Sequence, residues 1–380
     1  MSDNKIPYTP FPANGYFGPE YFCDRNDELH QLIQNLKGGH SITLTSMRRI
    51  GKTGLIRHVQ HTLNKDWICI YVDILATENM SQLLNMLASA IARVFSERSG
   101  VGRKIWNALK QLRPVVGFDA ITGEPNLSFD LDENESRKHI ESLLDLLDKQ
   151  EKRVLVAIDE FQQILEYPEK NVDAWLRTKI QHLRNVVFVF SGSRQHLMTE
   201  LFASPSRPFF RSTAFLHLEK IPHNVYREFI VEMFESRKKT ISLRDVDDML
   251  NWTRRHTYYV QVLCNRLFIN SGRKVKEASW RSVAQKLLKE QEMFFFTYRD
   301  MLTKSQWQLL KAVAREEELF APTAKGFIIS SGLGSSANIL RALDSLLTKE
   351  LVCEFRSDTG ERCYCVYDVF FMRWVQEILQ

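Results

Sequence analysis

Apolar and polar positions change period several times along the chain, and each change marks an element. Ser41-Ile-Thr-Leu-Thr45 is a short strand-type run; after a turn, Leu55, Ile56 and Val59 recur at the spacing of one helix face. Residues 154–158, Val-Leu-Val-Ala-Ile, are continuously apolar and run straight into Asp159 and Glu160. That is the pattern of a parallel strand buried on both faces, with the acids at its C-terminal edge. Residues 67–72, 186–190 and 214–218 add three strands. Five strands separated by helical patterns predict an α/β fold with a parallel sheet. The first twenty residues, rich in Pro, Gly and aromatics, read as irregular, and Phe22 to Leu29 opens a helix with Asp24 as its N-cap. Between the second and third strands lies a long insertion. It holds a basic helix at 103–112 and a hairpin over 113–130 that turns at Thr122-Gly123.

Past Ile221-Pro222 the period becomes helical, over 226–237, 243–252, 258–269 and 280–298. Two further helices at 305–316 and 335–348 precede strands at 351–356 and 362–367, joined at Asp358-Thr-Gly360. A helix-turn-helix followed by a hairpin is the winged-helix order. The expected organisation is a core over 1–221 with a hairpin insertion near 96–135, a helical lid domain over 222–300 and a winged helix over 301–380.

Composition changes this picture little. An apolar fraction of 44% and a charged fraction of 26% over 380 residues are those of a soluble globular chain with ample core. No stretch has the apolar length needed to cross a bilayer, and the residues after Met1 carry no hydrophobic signal region. Six cysteines are scattered without metal-type pairing; Cys363 and Cys365 share a strand face and read as packing, and the expected compartment is reducing cytoplasm. A net charge of +5 is too small to identify a nucleic-acid protein. A solvated helix face explains the local basic clusters at Arg98, Arg103, Lys104, Lys110 and Arg113, at 237–239 and at 273–276 at least as well as a phosphate track does.

The chemistry lies in Thr45-Ser-Met-Arg-Arg-Ile-Gly-Lys-Thr-Gly54. It matches the phosphate-binding loop Gly-x-x-x-x-Gly-Lys-[Ser/Thr] in the required setting, strand before and helix after, with Ser46 in place of the first glycine. Serine can stand there if its φ stays negative. A nucleoside triphosphate is too highly charged for side chains alone. The loop Ser46, Met47, Arg48, Arg49, Ile50, Gly51, Lys52, Thr53 and Gly54 would therefore turn backbone N–H groups and a helix N-terminus onto the β-phosphate. Lys52 would reach the β and γ oxygens. Thr53 and Asp159 would hold Mg2+, and Glu160 would polarise the attacking water. A nucleoside triphosphate and Mg2+ are the expected ligands, and no Asn-Lys-x-Asp segment is present to read guanine.

These residues carry a resemblance. The chain resembles the archaeal-type ATPases, a branch of the STAND class of P-loop NTPases close to the AAA+ proteins. The likeness runs over most of the length. It includes Phe22, Arg25, Glu28 and Leu29, the Arg-Arg-Ile at 48–50, Ile158-Asp-Glu-Phe161, Phe190-Ser-Gly-Ser193 and the ending at 364–374. It implies that the nucleotide is ATP, that Phe22 and Arg25 lie against its base and that Ser191 or Ser193 senses the γ-phosphate. Where that family has Gly-His-Pro or Gly-Asn-Pro before a pair of aromatics, this chain reads Arg254-Arg-His-Thr-Tyr258-Tyr259, keeping Tyr258, Tyr259 and Gln261 for a lid contact. In place of a Gly-Arg pair stands Phe210-Arg211. Arg211 acts on the γ-phosphate within one subunit or across an interface, or only holds the fifth strand.

Three functions follow, and the sequence leaves them open. The first is an ATPase, slow or fast, that couples nucleotide state to movement among core, lid and winged helix. The second is a DNA-binding protein switched by ATP, like origin-recognition relatives. The third is a nucleotide-gated scaffold of a defence or signalling assembly, a homo-oligomer acting on a protein client. The helix at 335–349 offers Arg341 and Lys349, offset by Asp344 and Glu350, which is a poor groove reader.

Overall fold

A computed structural model describes residues 8–95, 100–120, 123–356 and 360–378. Arg98, Thr122, Asp358 and Thr359, on which expectations fell, lie outside these. The chain divides into two compact units. One holds Asn14–Ile221, and the other holds Pro222–Gln380 together with Lys5–Ala13.

The strands of the first unit are β1 (Ile42–Thr45), β2 (Ile68–Asp73), β3 (Val115–Phe118), β4 (Pro125–Ser128), β5 (Val154–Asp159), β6 (Val186–Gly192) and β7 (Ala214–His217). Five of them form one parallel sheet in the order β2-β5-β6-β1-β7. Every residue of β5 and β6 is buried, which is why both read as unbroken apolar runs. Their side chains alternate between two cores. Leu155, Ala157, Val187 and Val189 pack with Ile42, Leu44, Leu32, Leu36, Leu55 and Val59 on one face. Val156, Ile158, Phe188 and Phe190 pack with Ile70, Val72, Leu84, Ile140 and Leu144 on the other. Helices Asn26–Lys37 and Lys52–Leu63 therefore cover one side, and Met80–Val94 and Glu133–Asp148 cover the other.

Antiparallel β3 and β4 stand apart as a two-stranded hairpin. The β4 side anchors it, because Leu127 is buried and its amide donates to Ser89 Oγ at 2.8 Å. Val115, Val116 and Phe118 of β3 are exposed.

Asp24 is not the N-cap of the first helix. The helix begins at Asn26, and Asp24 and Arg25 both take left-handed backbone, with φ of 55° and 74°. An N-cap needs extended backbone to aim its oxygen at the first-turn amides, and none is capped by a side chain here. The first turn is tied instead by the Arg25–Glu28 ion pair at 2.8 Å.

In the second unit, helices His223–Ser236, Leu243–Trp252, Thr257–Asn270 and Ser279–Asp300 come first. Helices Lys304–Glu316, Lys325–Ser331 and Ser336–Thr348 follow, then the antiparallel pair β8 (Val352–Arg356) and β9 (Arg362–Val366), then Val369–Ile378. Thr303 and Gln306 form a capping box that starts the first of the later helices. Helices Lys325–Ser331 and Val369–Ile378 had no counterpart in the sequence reading. The first is only seven residues long, too short for a period to show, and the second is buried along Phe370, Phe371, Trp374 and Val375. Phe11 is fully buried in this unit, 5.2 Å from the Phe234 ring, with its carbonyl bonded by Asn265.

Phe202 has ring centroids at 5.0 to 5.7 Å from Phe209, Phe190 and Phe161, beneath the acidic end of β5. Phe202→Ala is expected to destabilise the first unit by about 3–5 kcal/mol, as a buried ring lost without collapse does. Urea unfolding followed by a probe in that unit measures it.

Candidate nucleotide site

The loop between β1 and the helix Lys52–Leu63 holds the first group of site residues. Ser46 is fully buried and stays out of the left-handed region, as its place in the motif requires, and its hydroxyl donates to the Met47 carbonyl at 2.7 Å. Arg49 and Gly51 take the positive φ that closes the loop, 62° and 115°. A Cβ on Gly51 would meet nothing within 4 Å, so backbone conformation and not space calls for glycine. Gly51 also caps the helix without a side chain, which leaves the first-turn amides for an anion.

Lys52 is buried, and its ammonium donates to Ser46 Oγ at 3.2 Å and the Met47 carbonyl at 3.4 Å. Burial lowers its pKa below the ordinary lysine value. The carboxylates of Glu160 and Asp159 oppose that shift, and the Arg48 guanidinium adds to it.

Asp159, 3% exposed, is met by donors from four places. Its Oδ2 accepts from Thr53 Oγ1 and from the Tyr71 hydroxyl, each at 2.8 Å. Its Oδ1 accepts from Ser191 Oγ at 2.7 Å and from the Glu160 amide at 3.1 Å. Burial, and then the charge and hydrogen bond of Asp159, push the Tyr71 phenol up, so it serves as a neutral donor. The Arg57 guanidinium lies 3.8 Å over the Tyr71 ring.

Glu160 leaves the strand in left-handed backbone, φ 55° and ψ 40°. That turn sends its carboxylate away from Asp159 and toward Ser193, whose hydroxyl donates to Oε2 at 2.8 Å. Arg48 Nε in turn donates to Ser193 Oγ at 3.1 Å, so the phosphate loop and the acid meet on one hydroxyl.

Phe22 lies against the start of the same helix, where a Cβ on Gly54 would come within 3.3 Å of its ring. Its ring stacks on His58, with centroids 4.5 Å apart and planes at 19°. The Tyr16 hydroxyl and His58 Nδ1 share a hydrogen bond at 2.7 Å, and burial, and then His61, lowers the His58 pKa. Arg25 is 3% exposed, and its Nη2 has no partner among the described residues.

The structure thus brings together Ser46, Met47, Arg48, Lys52, Thr53, Asp159, Glu160, Ser191 and Ser193. Arg211 is exposed, left-handed at φ 52°, with its guanidinium 5.2 Å from the neighbouring Phe210 ring. Tyr258 belongs to the second unit, where it packs edge-on to Tyr259. Sequence reading missed Tyr71, Arg57, Tyr16, His58 and Gln162. Only Tyr71 carried a signal, a polar-ended aromatic two residues before the end of a strand. That signal means something only once β2 is known to lie beside β5 in the register Tyr71↔Ala157 and Asp73↔Asp159.

One carboxylate and one hydroxyl within hydrogen-bonding distance, beside a loop built for phosphate oxygens, suit magnesium. That ion takes few protein ligands and fills its octahedron with phosphate and water.

A family model described as an ATPase domain predominantly from Archaea matches residues 22–262, and a winged helix domain model matches 293–377. Among solved structures, a Walker-type ATPase of Pyrococcus abyssi superposes with TM-score 0.67 at 16% identity, covering 97% of this chain and all of that one. The ORC2 protein of Aeropyrum pernix, in ADPNP–ADP complexes, superposes with TM-score 0.57 at 14% identity over 98% of this chain and 97% of its own. At such identities the likeness is one of fold. No curated protein matches the sequence.

A buried ammonium without its anion destabilises the nucleotide-free protein. Lys52→Met is therefore expected to raise the urea midpoint of that form while weakening ATP binding by roughly ten- to hundredfold, the worth of charged hydrogen bonds. The sign with pH follows from the lowered folded pKa. Stability of the nucleotide-free parent rises as pH approaches 10.5, because there the unfolded chain holds more protons, and the variant loses that rise. Calorimetric titration with ATP and urea unfolding across pH check both.

Proposed function

This chain belongs to the family of ATPase domains found predominantly in Archaea, and we propose that it is a magnesium-dependent ATPase using Lys52, Thr53, Asp159 and Glu160. The observation that carries the reading is the meeting of three groups at one end of the sheet. They are a phosphate loop, an Asp159 bonded to the loop's own Thr53, and a Glu160 held apart from Asp159 on Ser193. The loop amides and Lys52 take the phosphates. The Thr53 hydroxyl and Asp159 would hold magnesium, which would supply positive charge against the phosphates. Glu160 accepts a proton from the attacking water as its oxygen bonds the γ-phosphorus, and the bond to ADP breaks. Ser191 touches Asp159 and Ser193 touches Glu160, so a change at the γ-phosphate would reach both acids. Phe22, beside the start of the loop helix, and Arg25 would take the base.

We infer further that hydrolysis is coupled to movement among a core over 1–221, a lid over 222–300 and the winged helix over 301–380. The winged helix suits protein contact better than a DNA groove. Arg341 turns back on its own helix, donating to Asn338 Oδ1 at 2.9 Å and the Ala337 carbonyl at 3.3 Å. No described helix is long and apolar enough to cross a membrane.

Glu160→Gln is expected to bind ATP like the parent and to turn it over about 10²- to 10⁴-fold more slowly, the usual worth of a positioned base. Phosphate release with parallel calorimetry tests this, and turnover at the parent rate would assign the base elsewhere.

Arg341→Ala with Lys349→Ala is expected to leave affinity for duplex DNA nearly unchanged. The salt slope should fall by no more than about two counterions. Fluorescence anisotropy across salt concentrations measures both, and a hundredfold loss would make the winged helix a DNA reader.

A further inference from the structure

We infer that Gln162 is a positioning residue for the hydrolytic reaction, holding one oxygen of Glu160 so that the other faces the attacking water. The inference rests on Glu160 being the base. Among the described residues, all hydrogen bonds to the Glu160 carboxylate fall on Oε2. Gln162 Nε2 donates at 2.6 Å, Ser193 Oγ at 2.8 Å and the Ser193 amide at 3.3 Å. Oε1 accepts from no described residue. A carboxylate anchored at one oxygen by three donors has one free acceptor in a set direction, which is what abstraction of a water proton needs.

Three observations separate this from a merely structural contact. Gln162 is 2% exposed, yet its Oε1 has no partner among the described residues. A buried amide with half its polar capacity unused is a poorer packing element than an apolar residue of the same length, so its retention calls for another reason. The amide orientation is also determined. Turned over, Oε1 would face the Glu160 oxygen at 2.6 Å, acceptor against acceptor. Lastly, the site makes room for this side chain. Gly192 lies outside the left-handed region, but a Cβ there would stand 2.3 Å from Gln162 Oε1 and 2.5 Å from Met198 Sδ. The space that a Cβ at 192, the last residue of β6, would take is thus occupied by the side chains of Gln162 and Met198.

The test is Gln162→Met, which keeps length and removes the donor, with Gln162→Leu as a second variant should the first fold poorly. Stability of the nucleotide-free protein is expected to be equal or higher, and ATP affinity within about twofold of the parent. The turnover number should fall roughly ten- to hundredfold, the scale of losing orientation at a reacting group. Unchanged turnover, or a loss of stability with turnover intact, would overturn the inference and leave Gln162 as packing. A parent that binds ATP but does not hydrolyse it would instead remove the proposed activity. The inference is then read from the ¹³C carboxyl resonance of Glu160, assigned by its loss in Glu160→Gln. That resonance is expected to move in Gln162→Met, and a resonance that stays in place would refute the contact.

Discussion

A buried carboxylate is the constraint on which the rest of the first unit depends. Asp159 ends a strand inside the sheet, where an unpaired charge would be very costly. It is made tolerable by four donors: the loop hydroxyl of Thr53, the phenol of Tyr71 on β2, the hydroxyl of Ser191 on β6 and the amide of Glu160. These donors come from separate elements, so satisfying the charge also fixes the register of β2 and β6 against β5 and the height of the phosphate loop above them. The strand order makes this geometry available. Because β6 lies between β1 and β5, its polar end at 191–193 can touch the acids and, through Arg48, the loop.

Asp159 and Glu160 are neighbours with the same chemistry and different surroundings. The left-handed backbone at Glu160 turns the second carboxylate out of the first one's hydrogen-bond shell. For a residue with a Cβ that conformation carries strain, and such strain persists where the surroundings over-determine it. Here the surroundings are Ser193, Gln162 and the aromatic cluster of Phe161, Phe190, Phe202 and Phe209 beneath them. The proposed division of labour between a metal-holding acid and a proton-accepting acid would therefore follow from one turn.

In the second unit, Arg254 and Arg255 stand at the segment where the resemblance leads one to expect a glycine. Both adopt left-handed backbone, with φ of 54° and 56°. The Arg254 side chain bonds the Glu317 carbonyl at 3.0 Å and pairs with Glu318, while Arg373 pairs with Glu317 and donates to the Trp252 carbonyl at 2.8 Å. A conformation that glycine would adopt freely is here held by a network of charged hydrogen bonds around Glu317 and Glu318. The departure from the family pattern has thereby a structural reason within the unit.

The sequence by itself determined the elements and the acids. Continuous apolar runs can only be strands buried on both faces, and a strand–loop–helix ending on Gly51-Lys52-Thr53 places a phosphate loop without reference to the rest of the chain. Most helices of the second unit were legible because their periods are long, whereas Lys325–Ser331 was too short to show one and Val369–Ile378 opens on the apolar run Val369-Phe-Phe-Met372, which has no period of its own. Asp24 misled because capping preference is local, while the backbone at 24–25 is set by the Arg25–Glu28 pair and the buried guanidinium. What only tertiary structure decided is which polar groups meet. Tyr71 is an ordinary residue in sequence and Ser193 stood out only through the resemblance; their contacts arise from strand order and register, which bring together residues as far apart as 145 positions in the Arg48–Ser193 bond. Periodicity reports the face a residue occupies. It holds no information about the neighbour across the sheet, because pairing of strands is settled by the whole fold.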